Sequence, residues 1–370
     1  MSQPAYLDWN ATAPLRPEAA RAVAEAVQRT GNPSSVHRWG RAARQAVERA
    51  RAQVAALVGV STSTLIFTSG GTEANGLALS AGHGRRILVS AIEHDSVREA
   101  VPEAEVIAVT SEGTVDLPAL ETLLAANPRP ALVSLMLANN ETGAIQPVGN
   151  AAKIAHRHGA LLHCDAIQAA GKIAVSVDAL GADLLTLSAH KLGGPQGVGA
   201  LVIREGVPLA AQQRGGGQER GYRAGTENVP GILGFGAAAE IAARELGDYG
   251  GVAVLRDAAE QRLLAIAPEA RVFGAEAERL PNTLCIAMPG VPAATQVMAL
   301  DLAGVMVSAG AACSSGKVRP SRVLAAMGAS PDEAGSAIRI SLGWSTTAEE
   351  IDRLVEAWAA LYRRGRADAA

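Results

Sequence analysis

The feature that most narrows what this chain can fold into is a succession of short β-type runs, several of them apolar on both faces, separated by stretches with helical spacing. The pattern predicts strands at residues 65–68, 87–90, 106–109, 132–137, 161–163, 184–188 and 199–203. Runs apolar on both faces suit parallel strands covered on both sides, and a helical stretch at 150–158 fits between two of them. Amphipathic helices are predicted at 17–29 and 42–58, ahead of the strands. The expected fold class is α/β, a large domain whose mainly parallel sheet is covered by helices.

An Ala-rich helix is predicted from about 229 to 246, and Gly250 with Gly251 breaks the pattern after it. Beyond come a helix near 255–266, strands near 283–287 and 337–341, and a last helix near 348–363. These suffice for a smaller α/β domain. The expected division is 15–250 for the large domain, with 1–14 and 251–370 forming the small one.

At 370 residues and 48% hydrophobic the chain can bury a sizeable core. Lys and Arg total 33 against 36 Asp and Glu, with no long single-sign run, so no electrostatic footprint for nucleic acid or an anionic membrane is present. The start, Met1-Ser2-Gln3-Pro4, lacks a basic region followed by an apolar core, and no apolar run reaches spanning length. A cytoplasmic protein is expected. The cysteines, Cys164, Cys285 and Cys313, are odd in number and far apart, which argues against a disulfide framework or a cysteine-based zinc site.

Three patterns mislead. Gly234, Gly236 and Ala239 fit the dinucleotide fingerprint but fall inside the Ala-rich helix instead of a turn after a strand. Gly310 and Gly316-Lys317 resemble a phosphate loop, yet Val318 stands where Ser or Thr is required. His156, His158, His163, Cys164 and Asp165 crowd as metal ligands do, but a polar helix end and a buried strand separate them; no metal is expected.

The strongest local signal is Ser188-Ala189-His190-Lys191-Leu192-Gly193-Gly194-Pro195, where a strand delivers a lysine into a turn of small residues. A desolvated amine with a lowered pKa can form a Schiff base with an aldehyde cofactor, and Ser188 and His190 can donate to a phosphate. A lysine near glycines is usually a solvated loop residue, so the surrounding motifs decide. His163-Cys164-Asp165-Ala166-Ile167-Gln168 puts a carboxylate at the carboxyl end of another strand, where open α/β sheets bind ligands. Asp165 can hold a pyridine nitrogen protonated or merely cap a helix. Thr68-Ser69-Gly70-Gly71-Thr72-Glu73 follows a strand and opens a helix, an anion site in which Gly71 and Thr72 offer N–H groups. His94, after the next strand, can stack on a ring and shuttle protons, or simply pack.

In this order and spacing the motifs resemble the class V aminotransferases, fold-type-I enzymes of pyridoxal 5'-phosphate (PLP), and more narrowly the cysteine desulfurases of the longer catalytic-loop group. The likeness runs from Tyr6-Leu7-Asp8 and Gly31-Asn32-Pro33-Ser34-Ser35-Val36-His37 through Asn139-Asn140-Glu141-Thr142-Gly143 to Arg339-Ile340-Ser341-Leu342-Gly343. It implies that Lys191 holds PLP, Asp165 pairs with its nitrogen, Gln168 and Asn140 lie on its phenolic oxygen side, and His94 stacks above. Thr72, Ser188 and His190 then hold the phosphate. The stretch Gly215–Thr226 resembles a family segment that completes the phosphate site of the neighbouring subunit through Thr226, which implies a homodimer; Arg220 and Arg223 add anion donors there.

Cys313, in Ser308-Ala309-Gly310-Ala311-Ala312-Cys313-Ser314-Ser315-Gly316, lies among small residues with little to anchor them, a setting for a reactive thiol. By the resemblance it takes sulfur from the substrate as a persulfide, and Arg339 grips the substrate carboxylate, with Asn140 beside it. The implied reaction turns L-cysteine into L-alanine and passes sulfur to an acceptor protein such as an iron–sulfur scaffold. The alternatives are selenocysteine cleavage and amino transfer on the same cofactor; amino transfer needs no thiol. The run Asp8-Trp9-Asn10-Ala11-Thr12-Ala13 departs from the family's common Asp-Asn-Ala-Ala-Thr-Thr, and the tail after Trp344 lacks the extension some relatives use to dock a scaffold.

Overall fold

The structure, a computed structural model, describes residues 4–309 and 321–367. Its strands in chain order are β1 (Ala5–Tyr6), β2 (Leu65–Thr68), β3 (Arg86–Ser90), β4 (Glu105–Ile107), β5 (Ala131–Met136), β6 (Leu161–Asp165), β7 (Leu184–Ser188) and β8 (Gly199–Ile203). After them come β9 (Arg271–Val272), β10 (Thr283–Ala287), β11 (Val305–Met306), β12 (Ser308–Ala309) and β13 (Ala337–Ser341).

The larger sheet has seven strands in the order β2-β8-β7-β6-β5-β3-β4. Only β8 runs against the others, pairing antiparallel with both β2 and β7. Every residue of β2, β5, β7 and β8 is buried. That is why these segments read as continuous apolar runs: helices cover both faces, so neither can carry polar residues at low cost. Each parallel strand ends on the same edge, where Asp165 closes β6 and Ser188 closes β7.

The helix Val229–Arg244 packs on Arg38–Leu57 and Pro17–Val27. Its start is set by Asn228, whose side chain accepts from the Gly231 N–H, with Pro230 in the first turn. Gly236 explains the false dinucleotide pattern: a Cβ there would lie 2.7 Å from Ala50 Cα, so the glycine serves close helix packing. Gly250 and Gly251 do not break the chain, since both lie in the first turn of the helix Tyr249–Ile266. The break falls earlier, in the 3-10 turn Leu246–Asp248, because Tyr249 is buried and its helix has a core to join.

A second core surrounds a four-stranded sheet, β12-β13-β10-β9, and includes the fully buried Trp358 of the last helix. Truncating such a side chain costs about 3–5 kcal/mol. The parallel pair β1-β11 brings the amino-terminal segment onto this second core through Ala5 and Leu7. No helix among the described residues is long and apolar enough to cross a membrane.

Candidate active site

Strands β6 and β7 are neighbours in register, Asp165 opposite Thr186, so the carboxylate at one strand end faces the segment that leaves the other. Lys191 ends a 3-10 turn, Ala189–Lys191, directly after β7. Arg16 holds the turn beyond it, donating from Nε to Leu192 O at 3.1 Å while its other end pairs with Glu245 at 2.6 Å. The Lys191 amine donates to two main-chain carbonyls, Asn10 O at 2.5 Å and Ala11 O at 2.8 Å. Burial first, and the Arg339 charge second, push it down to about 8, although Asp8 and Asp165 pull the other way. A lysine so placed is deprotonated near neutrality far more often than an ordinary lysine, as a nucleophilic amine requires.

Asp165 is buried and accepts from Ile167 N at 2.9 Å and from Asn75 Nδ2 at 2.8 Å. Burial raises its carboxyl above the ordinary range, against the pull of those two hydrogen bonds. Asn75 was not singled out by the motifs. The available signal was a polar residue on the buried stripe of a short apolar helix, beside Ala74 and Ala78.

The helix Gly71–Leu79 begins at the edge of a cavity of about 490 Å³ lined by Thr12, Gly70, Gly71, Thr72, Ser188 and His190 among others. Strand β8 comes so near this cradle that a Cβ on Gly199 would lie 2.7 Å from Gly70 C and 2.8 Å from Leu187 O. The open backbone N–H groups and the helix dipole make an anion site. Burial, with the Lys191 charge, pushes His190 down to about 4, so its ring is neutral and meets Thr12 Oγ1 at 3.2 Å through Nδ1. Glu73 accepts from Ser69 N at 2.8 Å and pairs with Arg223 at 2.9 Å, which fixes the turn into the helix.

Asn10, a residue of the segment whose sequence departs from the family pattern, ties the site together. Its carbonyl accepts from Lys191 and from Gln168 Nε2, the latter at 3.0 Å. Its side-chain oxygen accepts from Lys172 Nζ at 2.8 Å and Asn282 Nδ2 at 3.0 Å, and its Nδ2 donates to Asn140 O and Thr283 Oγ1. The motif reading missed both Asn10 and Lys172; a lysine four residues after a glutamine carries no local signal that it is buried.

Arg339, in the middle of β13, reaches the same place from the second core. It donates to Asn140 O at 3.1 Å and pairs with Asp8 at 2.7 Å, and its Nε is buried without a partner. His94 is exposed, and its Nδ1 accepts from the Ser96 N–H at 3.0 Å, capping a short helix; in the neutral ring the proton therefore sits on Nε2.

The segment around Gln218–Gly221 is not a loose linker. Glu219 and Arg220 both hold left-handed backbone (φ 44° and 57°), which residues with a Cβ adopt only under constraint. The constraint is a buried fork: Arg51 donates to both Glu219 oxygens at 2.7 and 2.9 Å, and Phe67 N donates at 2.8 Å. Removing one partner of such a pair costs about 3–5 kcal/mol. Arg220 and Arg223, expected as anion donors, are engaged within the chain instead: Arg220 with the carbonyls of Leu65 and Thr62, Arg223 with Glu73. Thr226 is exposed and does not line the cavity. Cys313 lies outside the described residues, whereas Cys164 and Cys285 are fully buried in strands, their thiols pushed up by burial.

A half-buried amine, a carboxylate at the adjacent strand end and an N–H-lined cavity beside them fit pyridoxal phosphate: aldehyde, ring nitrogen and phosphate each find the group they need. The class-V aminotransferase family matches residues 5–354. A cysteine desulfurase of Cereibacter sphaeroides is 49% identical, over 95% of this chain and 94% of its own. Cysteine desulfurase IscS 1 of Archaeoglobus fulgidus is 41% identical over 95% of both chains. The X-ray structure of a NifS-like protein from Rickettsia africae superposes with a TM-score of 0.92 at 36% identity, covering 98% of this chain and all of that one. The chain therefore belongs to the class-V aminotransferase family, enzymes that work with pyridoxal phosphate.

Proposed function

We propose that the protein is a cysteine desulfurase: L-cysteine and the Cys313 thiol are converted into L-alanine and a Cys313 persulfide, whose outer sulfur passes to an acceptor protein. The observation that carries this reading is the half-buried Lys191 amine, its pKa lowered, set beside Asp165 on adjacent strand ends. In this reading Lys191 binds the cofactor aldehyde, Asp165 holds the proton on its ring nitrogen, and Gln168 and Asn140 lie on its phenolic side. Gly71, Thr72, Ser188 and His190 hold its phosphate, with Thr226 from a second copy of the chain. Bound pyridoxal phosphate supplies an electron sink for the substrate's α-carbon.

The remaining steps belong to the chain. The Arg339 guanidinium binds the substrate carboxylate in a fork, for which its unpartnered Nε and its place beside Asn140 suit it. Lys191, freed on substrate binding, holds or returns a proton at the α-carbon, and His94 Nε2 does so at the substrate's amine or thiol. The Cys313 thiolate attacks the substrate sulfur; the C–S bond breaks, an S–S bond forms, and the carbon left behind takes a proton to become alanine. Amino transfer would leave Cys313 without a task.

The reading extends to a homodimer in the cytoplasm, an iron–sulfur scaffold as one acceptor, and a division into a large domain at 15–250 and a small one at 1–14 and 251–370. The purified protein, given L-cysteine with and without reductant, is expected to form alanine in both cases and free sulfide chiefly with reductant. Pyruvate in place of alanine, or amino transfer to an oxo acid at a comparable rate, overturns it.

A further inference from the structure

Nothing in the proposed chemistry uses Lys172, yet it is only 4% exposed and ends in a polar network at the site. Its Nζ meets neutral acceptors alone, Asn10 Oδ1 and Gln168 Oε1, each at 2.8 Å. Burial, then the Lys191 and Arg339 charges, push this amine well below its usual range. An apolar side chain of the same length would avoid that cost. The function of the lysine therefore lies in what its N–H groups do to their acceptors.

A carboxamide has one end that accepts and one that donates, and its neighbours decide which way it points. Lys172 presents an N–H to Gln168 and so draws Oε1 toward itself. The Asn10 carbonyl can only accept and so draws Nε2, at 3.0 Å. Both contacts favour one orientation, and the reverse would set the Gln168 carbonyl against the Asn10 carbonyl and give up the Lys172 N–H donation. Nε2 has two hydrogens, of which Asn10 takes one. The other makes no hydrogen bond among the described residues, and Lys191 Nζ lies 2.5 Å from the same Asn10 oxygen.

We propose that Lys172 is a positioning residue that locks the Gln168 carboxamide so that an N–H, never its carbonyl, faces the phenolic oxygen of pyridoxal phosphate held on Lys191. The inference rests on the roles of Lys191 and Gln168 in the proposed function. An N–H there stabilises the phenolate and so lowers the pH at which the lysine-bound cofactor loses its proton; a carbonyl raises that pH.

The test is a pH titration of the cofactor's absorption band in the holoenzyme, with cofactor content and thermal midpoint recorded alongside. Lys172→Met keeps the length of the stem and removes the donor; the titration midpoint is expected to rise by about one unit, the tenfold effect of one ordinary hydrogen bond. Gln168→Leu is expected to raise it equally, and Lys172→Met to add nothing in that background. Lys172→Arg, which keeps a donor at Oε1, should restore the wild-type midpoint. A midpoint moved by Gln168→Leu but not by Lys172→Met overturns the inference alone, as does an equal shift from Lys172→Met in both backgrounds, which would make Lys172 a free-standing charge. A midpoint unmoved by Gln168→Leu overturns the role of Gln168 as well. If Lys172→Met does not fold, a wild-type holoenzyme structure that separates amide nitrogen from oxygen replaces it; Oε1 on the cofactor side overturns the proposal.

Discussion

Asn75 and Asp165 are joined at 2.8 Å, and the same Asn75 nitrogen reaches Ser96 Oγ at 2.9 Å, the hydroxyl that in turn meets His94 Nδ1 at 2.9 Å. One amide thus links the Asp165 carboxylate to the helix start that His94 caps. Replacing Asp165 with Asn removes the negative charge that would keep a proton on the ring nitrogen but keeps the shape. Cofactor content is expected to stay near wild type while alanine formation falls by at least about 100-fold, in line with the loss of a positioned acid–base partner. Normal turnover in this variant would disprove the pairing.

Lys191→Ala should abolish the covalent attachment of the cofactor and lower activity by roughly 100-fold or more. Lys172 gives this experiment its edge, because this second, buried amine donates to the same residue, Asn10. Borohydride reduction of the wild type followed by peptide mapping is expected to find the label on Lys191. A label on Lys172 would exchange their roles.

Thr226 is expected to act on the site of the opposite subunit. Equal amounts of Lys191→Ala and Thr226→Ala protein, each nearly inactive, should regain about a quarter of wild-type activity after subunit exchange, since half the dimers are mixed and carry one intact site of two. Demonstrated exchange without recovery would count against sharing.

Cys313→Ser should bind cofactor and L-cysteine and release no sulfur, because a hydroxyl is a poor substitute for a thiolate at neutral pH. Mass spectrometry of the wild type after L-cysteine should show the extra sulfur on Cys313. Sulfur on Cys164 or Cys285 would contradict the mechanism, and their complete burial argues against it.

Glu93 offers a test by pH. Burial pushes its carboxyl up to about 8, and it accepts from Ser90 Oγ and Met136 N on one oxygen while the other has no partner. The folded state therefore holds a proton that the unfolded state releases near its ordinary value, so this contribution is complete at low pH and is lost as pH rises through about 8. Glu93→Gln imitates the protonated form. In the cofactor-free protein its thermal midpoint should fall less than that of the wild type between pH 5 and 8, by roughly 2–4 °C per kcal/mol involved. Lys172, Lys191 and Glu141 titrate in both proteins and cancel in the comparison. Parallel curves would show Glu93 ionised in the fold.

The strands of the larger sheet were legible because burial on both faces writes itself into sequence as unbroken apolar runs, and β2, β7 and β8 stand where the pattern put them. Lys191, Asp165 and the Gly70-Gly71 turn were legible because each sits at a strand end, where local sequence and position in the sheet coincide. Asn10, Asn75, Lys172 and Glu219 were not. Their partners lie far away along the chain, 162 residues for the Asn10–Lys172 contact and 168 for Arg51–Glu219, and no local pattern encodes such a meeting. Helices 117–125 and 293–302 also escaped notice, since both are short and rich in apolar residues without a clear polar face.

The bonds made by Asn10 have a consequence for how the enzyme is made. They join a residue near the start of the chain to Lys172 and Lys191 in its middle and to Asn282, Thr283 and Ser341 toward its end. A ribosome emits these residues one after another, and domains fold as they emerge. The larger sheet can form while synthesis continues, but the hub cannot close until Ser341 has left the exit tunnel. A nascent chain stalled before that point would present Lys191 with its surroundings unfinished, so stable cofactor capture is expected to be a late event in the birth of each molecule.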